Sequence, residues 1–156
     1  SEFRPGTSSN SFIQLWDTKL RIDQLNSLGW DKPPVELLVL SACKTALGDK
    51  DAELGFAGIT VQAGVKSAMG SLWSVSDEAT LALMTEFYQQ LRLNPKAEAL
   101  RKAQLAILKG QVELKNGKLL FNNNVISLPP QLEKIANKDI SHPYYWSAFT
   151  VIGNPW

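Results

Sequence analysis

A chain of 156 residues with 44% hydrophobic and 20% charged side chains has enough apolar content to bury a core, which excludes a disordered tail. Sixteen basic against fifteen acidic groups leave a net charge of +1, and neither an arginine-rich stripe nor an interleaved aromatic platform points to nucleic acid. A single cysteine, Cys43, and a single histidine, His142, exclude an internal disulfide and a cysteine-rich zinc site, so no metal or other cofactor is expected.

Residues 11–22, SFIQLWDTKLRI, hold two short apolar runs around Asp17, Thr18 and Lys19 and predict a small hairpin. A short helix over 23–28 is stopped by Gly29. After Pro33 and Pro34, residues 35–40 form a near-continuous apolar run that reads as a strand buried in a parallel sheet. Phe56, Ile59 and Ala63 recur at helical spacing over 54–63, with Gly64 as a left-handed stop, and 65–73 returns to strand character. Strand, loop, helix and strand make a crossover unit, the local signature of an α/β fold. Ser76 is the predicted cap of the next helix, with Asp77 and Glu78 in its first turn and Ala79, Leu83, Phe87 and Leu91 on its buried face. A third helix is predicted from Asn94 as cap and Pro95 as first residue, with Leu100, Ala103 and Ile107 inward and Gly110 closing it. Asn116-Gly117, between Val112 and Leu114 on one side and Leu119 and Phe121 on the other, is a strong hairpin signal. The aromatic and β-branched run 146–152 reads as a last strand.

Chemistry points to Leu40-Ser41-Ala42-Cys43-Lys44-Thr45. In open α/β sheets the functional crevice lies outside the carboxyl ends of the strands, where Cys43 would be held by a rigid strand and remain reachable. Composition alone leaves the other reading open, in which a lone cysteine is a small buried hydrophobe. The acidic stretch with Asp49, Asp51 and Glu53 reads as a solvated turn.

The strings LLVLSACKTALGD, GFAGITVQAGVKSAMGSLWSVSDEATLALMTEFYQQL, KAEALRKAQLAIL and HPYYWSAFTVIG, in that order, resemble the C-terminal half of a CHAT domain, a family related to caspases and separase and associated with tetratricopeptide repeats. Only 110–140 is weakly matched, as a variable insertion would be. The resemblance implies one incomplete caspase-like domain over residues 1–156, with a mostly parallel sheet flanked by helices. It also implies a cysteine endopeptidase with a Cys/His dyad, in which Cys43 is the nucleophile. The family's histidine belongs to a His-Gly motif that no residue of this chain matches, so the chain alone is expected to be inactive. His142 falls in HPYYW, which the family carries beside its separate catalytic histidine, and a structural role is expected for it.

The resemblance further implies an oxyanion hole from the backbone N–H groups of Cys43 and Ser1, although Ser1-Glu2-Phe3 equally reads as a remnant of cloning. The substrate is expected to extend beside an edge segment containing Ser71, Trp73 and Ser74, with Asp77 as the acid facing a basic residue before the cleaved bond. Asp77 equally reads as a helix-start acid, and Trp73 as core or groove wall. The expected partners are a protein or peptide substrate, the missing N-terminal half of the same domain and, in its absence, a second copy of the chain. No nucleic acid or membrane partner is expected, since no apolar run approaches the ~18 residues of a span and residues 1–10 do not read as a signal peptide. A cytoplasmic location fits a single cysteine. The alternative from a different class is a non-catalytic caspase-like interaction module.

Overall fold

A computed structural model describes residues 12–14, 17–41, 55–122, 124–128 and 138–156. These divide into two compact units, the first running up to Ser74 and taking back Phe149–Pro155, the second comprising Val75–Ala148 with Trp156.

In the first unit the predicted hairpin forms as β1 (Phe12–Gln14) against β2 (Lys19–Arg21), antiparallel with Ile13 opposite Leu20. The following helix, Ile22–Leu28, is a 3-10 helix, and Gly29 ends it in the left-handed region at φ 62°. The main sheet has the order β3-β4-β8, from β3 (Leu38–Val39), β4 (Ser67–Ser71) and β8 (Phe149–Gly153). Between β3 and β4 lies α1 (Gly55–Gln62), stopped at Gly64 with φ 109°. β3 and β4 are parallel, Leu38 opposite Ala68 and Val39 opposite Met69, as a crossover unit requires.

Two expectations change. The apolar run 35–40 yields a ladder of only two residues, extended by single backbone bonds from Leu40 N to Met69 O (2.8 Å) and from Lys66 N to Val35 O (2.9 Å). Leu38 and Val39 are half-buried, and only Leu40 falls to 8% exposure. β3 is an edge of this sheet among the described residues, so its side chains have a neighbouring strand on one side only and are less covered than those of β4. The last strand is antiparallel to β4, Ser67 opposite Gly153 and Ser71 opposite Phe149, so the sheet is mixed rather than mostly parallel. β4 is the central strand. All five of its residues are buried, and Ala68 joins Leu25, Leu40, Phe56 and Ala57 in a core cluster that Trp30, Ile59 and Ile152 flank.

The second unit is a helical hairpin with a small sheet. In α2 (Asp77–Leu91) the predicted Ala79, Leu83 and Phe87 are fully buried, while Leu91 is half-exposed. A second row, Glu78, Ala82 and Glu86, is also buried, so the buried arc is wider than one stripe. Ser76 stands at the cap position with extended backbone, but its hydroxyl makes no capping bond. Its carbonyl accepts from Thr80 N at 3.0 Å, so the helix start is set by the backbone and by the acids of the first turn. α3 (Lys96–Leu108) begins one residue later than predicted, with Pro95 at the cap. Asn94 serves the preceding helix instead: its Nδ2 donates to the carbonyl of Gln90 at 2.9 Å, and its Oδ1 accepts from Lys102 Nζ at 2.6 Å. The Gln90 carbonyl, which also accepts from Leu93 N at 3.0 Å, thereby gains a second donor at the end of α2.

The sheet of this unit has the order β5-β6-β7, with β5 (Val112–Lys115), β6 (Lys118–Phe121) and β7 (Asn124–Ser127). Asn116 (φ 51°) and Gly117 (φ 71°) both take positive φ, the pair of conformations a two-residue turn between twisted strands demands. β7 lies beyond the hairpin that Asn116-Gly117 predicts and adds a third strand to it. Among the described residues no helix is long and apolar enough to cross a membrane.

Glu86 is 1% exposed, and its carboxylate accepts from Gln90 Nε2 (2.7 Å) and Asn122 Nδ2 (2.8 Å). Asn122→Ala removes one of the two side-chain donors that reach this buried carboxyl group among the described residues. The expected loss is about 1–3 kcal/mol in denaturant unfolding, against a few tenths for Asn124→Ala, whose amide among the described residues donates only to the carbonyl of the exposed Asn122. Equal effects of the two would refute the assignment.

Candidate active site

Because β3 and β4 run parallel, their carboxyl ends lie at the same edge of the first unit. Chain leaving β3 reaches Ser41, the last described residue before the nucleophile position; Cys43 and Ser1 lie outside the described residues, as does the acidic stretch with Asp49, Asp51 and Glu53. Chain leaving β4 runs through Leu72, Trp73 and Ser74 without regular structure. An open α/β sheet forms its crevice at such a position.

The residues expected to bind substrate are not alike. Ser71 is 1% exposed and sits opposite Phe149 in the ladder with β8, so it belongs to a central strand and is no open edge. Trp73 is half-buried and Ser74 exposed, both immediately beyond the sheet. Asp77 is exposed at the first position of α2, in the second unit, with no side-chain hydrogen bond or ion pair among the described residues. Ser71, Trp73 and Ser74 are thus held in sequence at the carboxyl end of β4, and Asp77 is not part of that unit.

Glu78, read from the sequence only as a first-turn acid, is 3% exposed, and its Oε2 is buried with no hydrogen-bond partner among the described residues. Its position was legible from spacing: Glu78, Ala82 and Glu86 recur at i, i+4 and i+8 beside the apolar stripe.

His142 caps a 3-10 turn, Pro143–Tyr145, and its Nδ1 accepts the N–H of Tyr144 at 3.2 Å. That bond requires the unprotonated nitrogen at Nδ1. Around it, Trp146 Nε1 donates to Ser141 O at 3.0 Å, the rings of Tyr144 and Tyr145 meet edge-on at 5.5 Å, and Lys138 Nζ lies 4.7 Å over the Tyr145 ring. Asp139 accepts from Ser141 N at 2.9 Å. Hydrogen bonding from Ser141 holds the Asp139 carboxyl below the usual carboxylate range. The stability this supplies is present above the ordinary carboxylate value and is lost as pH falls through the depressed one. His142 is a structural element of this corner.

A crossover unit feeding a mixed sheet, with an irregular segment at the carboxyl end of its central strand, defines an α/β domain. The family model for the CHAT domain matches residues 1–154, nearly the whole chain, and the chain belongs to that family, which is related to the cysteine peptidases. No curated protein matches the chain.

Proposed function

We propose that this chain is the nucleophile-bearing part of a CHAT cysteine endopeptidase. What carries the reading, beyond the family, is the parallel pairing of β3 and β4: it brings the carboxyl end of the strand leading to Cys43 beside that of the strand leading to Trp73 and Ser74. In the proposed reaction the Cys43 thiolate attacks the scissile carbonyl carbon, and the carbonyl oxygen becomes an oxyanion held by the backbone N–H groups of Cys43 and Ser1. Collapse expels the amine, which takes the proton first removed from the thiol, and water hydrolyses the acyl-enzyme.

The histidine that carries this proton comes from a segment with the family's His-Gly motif, the complementary N-terminal part of the domain. His142 does not suit the task, since its Nδ1 is engaged by the Tyr144 N–H. In binding, Ser74 and Trp73 line the peptide path and Ser71 supports them from the core.

The test is reassembly: the chain is mixed with the complementary fragment and assayed on peptide libraries. Cleavage that requires both pieces is the expected result, and assembly without cleavage of any peptide would favour the non-catalytic module. A second measurement uses the chain alone. Without a histidine partner the Cys43 thiol should react slowly with iodoacetamide near neutral pH and accelerate as pH approaches about 8.5, the value of a free cysteine. Fast labelling at pH 6 would show a thiolate already stabilised by another group and would contradict the dependence on a supplied base.

A further inference from the structure

Among the described residues, the sheet of the second unit has one guarded edge and one that nothing pairs. At the β5 edge, Lys138 forms an antiparallel bridge with Leu114. At the β7 edge no described residue pairs, and all four residues Asn124–Ser127 are exposed, with Val125 at 57% and Ile126 at 45%. β7 holds no charge, no proline and no bulge, the devices that normally blunt an edge against added strands.

The hydrogen-bonding direction along β7 follows from one bond. Leu128 N donates to Gly117 O at 2.9 Å, so by the alternation of an antiparallel ladder Ile126 and Asn124 turn their backbone groups toward β6. Val125 and Ser127 therefore present N–H and C=O outward, two donor and acceptor sets at the spacing of an added strand.

The side chains say what that strand should carry. On the solvent face, Val125 follows Leu120 and Glu113 across the sheet, and beside it opens a shallow cavity of about 550 Å³ that includes Leu120, Asn122 and Val125. The next row on this face is Lys115, Lys118 and Ser127. Lys115 and Lys118 are directly opposed like charges, an unfavourable cross-strand pair. Glu113 offsets only Lys115, at 2.7 Å, and the Lys118 side chain has no hydrogen bond or ion pair among the described residues.

We propose that the β7 edge is a docking site for an extended peptide segment of a partner protein that adds as a fourth strand. The segment carries an acidic residue opposite Ser127, within reach of Lys118, and β-branched apolar residues opposite Ile126 and Val125. Main-chain bonds to Val125 and Ser127 supply the pairing, and the Lys118 charge supplies the choice of side chain.

The experiment uses the whole chain and a fluorescein-labelled pentapeptide, Thr-Glu-Val-Val-Thr, with a counterpart carrying lysine in place of glutamate, read by anisotropy at low salt. The acidic peptide should bind and the lysine peptide should bind at least about tenfold more weakly, a modest electrostatic discrimination. Val125→Pro removes an outward donor that the native ladder does not use, so the fold should persist by circular dichroism while binding drops at least about tenfold. Should that variant unfold, Ser127→Pro makes the same deletion at the other outward residue. Lys118→Glu should reverse the preference between the two peptides. Absence of binding by the unmodified chain at millimolar peptide would overturn the proposal, as would binding that neither proline nor Lys118→Glu alters. So would self-association of the chain that Val125→Pro abolishes, which would make a second copy the occupant.

Discussion

Replacing Cys43 by alanine should lower the peptidase activity of the reassembled domain by on the order of 10³-fold or more, leaving assembly of the two pieces unchanged. The size follows from the chemistry: without the thiolate there is no acyl-enzyme, and only binding and oxyanion stabilisation remain to accelerate attack by water. The loss should appear in kcat rather than in KM, since a peptide held along Trp73 and Ser74 does not depend on the sulfur for its ground-state contacts. His142→Ala provides the comparison. Its imidazole caps the turn at Pro143–Tyr145 through Tyr144 N, so its removal should cost about 0.5–1 kcal/mol of stability and leave the rate within a few-fold of the parent. A Cys43→Ala mixture that cleaves at the parental rate would sink the peptidase reading. A His142→Ala mixture as inactive as Cys43→Ala would instead return His142 to the role of base.

The largest stability effect is expected at Gly153, the last residue of β8. Its φ is +94°, and a Cβ built there would stand 2.5 Å from Lys66 O, 3.2 Å from Ser67 Cα and 3.3 Å from Lys66 C. All three are backbone atoms, so no side chain can swing aside. The same place carries the bonds that fasten the end of β8: Asn154 N to Lys66 O at 2.9 Å and Ser67 Oγ to Asn154 O at 2.6 Å. Gly153→Ala must adopt a left-handed conformation and push β8 from β4 together. A loss of about 3–5 kcal/mol is expected from strain and overpacking combined. Gly29→Ala separates the two causes, because at φ +62° nothing lies within 4 Å of the added Cβ. It should cost only about 1–2 kcal/mol, the left-handed penalty alone. Urea midpoints of the two variants, compared at constant slope, check the difference, and equal losses would refute the steric account.

Local signals carried much of this protein by themselves. Asn116-Gly117 prescribes a turn with two positive φ values between flanking apolar residues, and the hairpin β5-β6 follows without help from anything distant. The stripe Ala79, Leu83 and Phe87 likewise needs only helical periodicity, and the ordered motifs around Cys43 and His142 are sufficient for the family. Tertiary structure decided what depends on neighbours remote in sequence. The run at 35–40 is equally apolar at an edge or in the middle of a sheet, and only the partners of β4 show that Leu38 and Val39 stand at the edge. Strand direction is in the same position, since a β-branched run such as 149–153 pairs either way until the path of the chain returns it antiparallel to β4. Asn94 is a good cap in either direction, and the carbonyl of Gln90 with the ammonium of Lys102 determined which helix it serves. The burial of Ser71 and the exposure of Asp77 follow the same rule: a side chain's type is written locally, but its access to a substrate is set by the elements that fold over it.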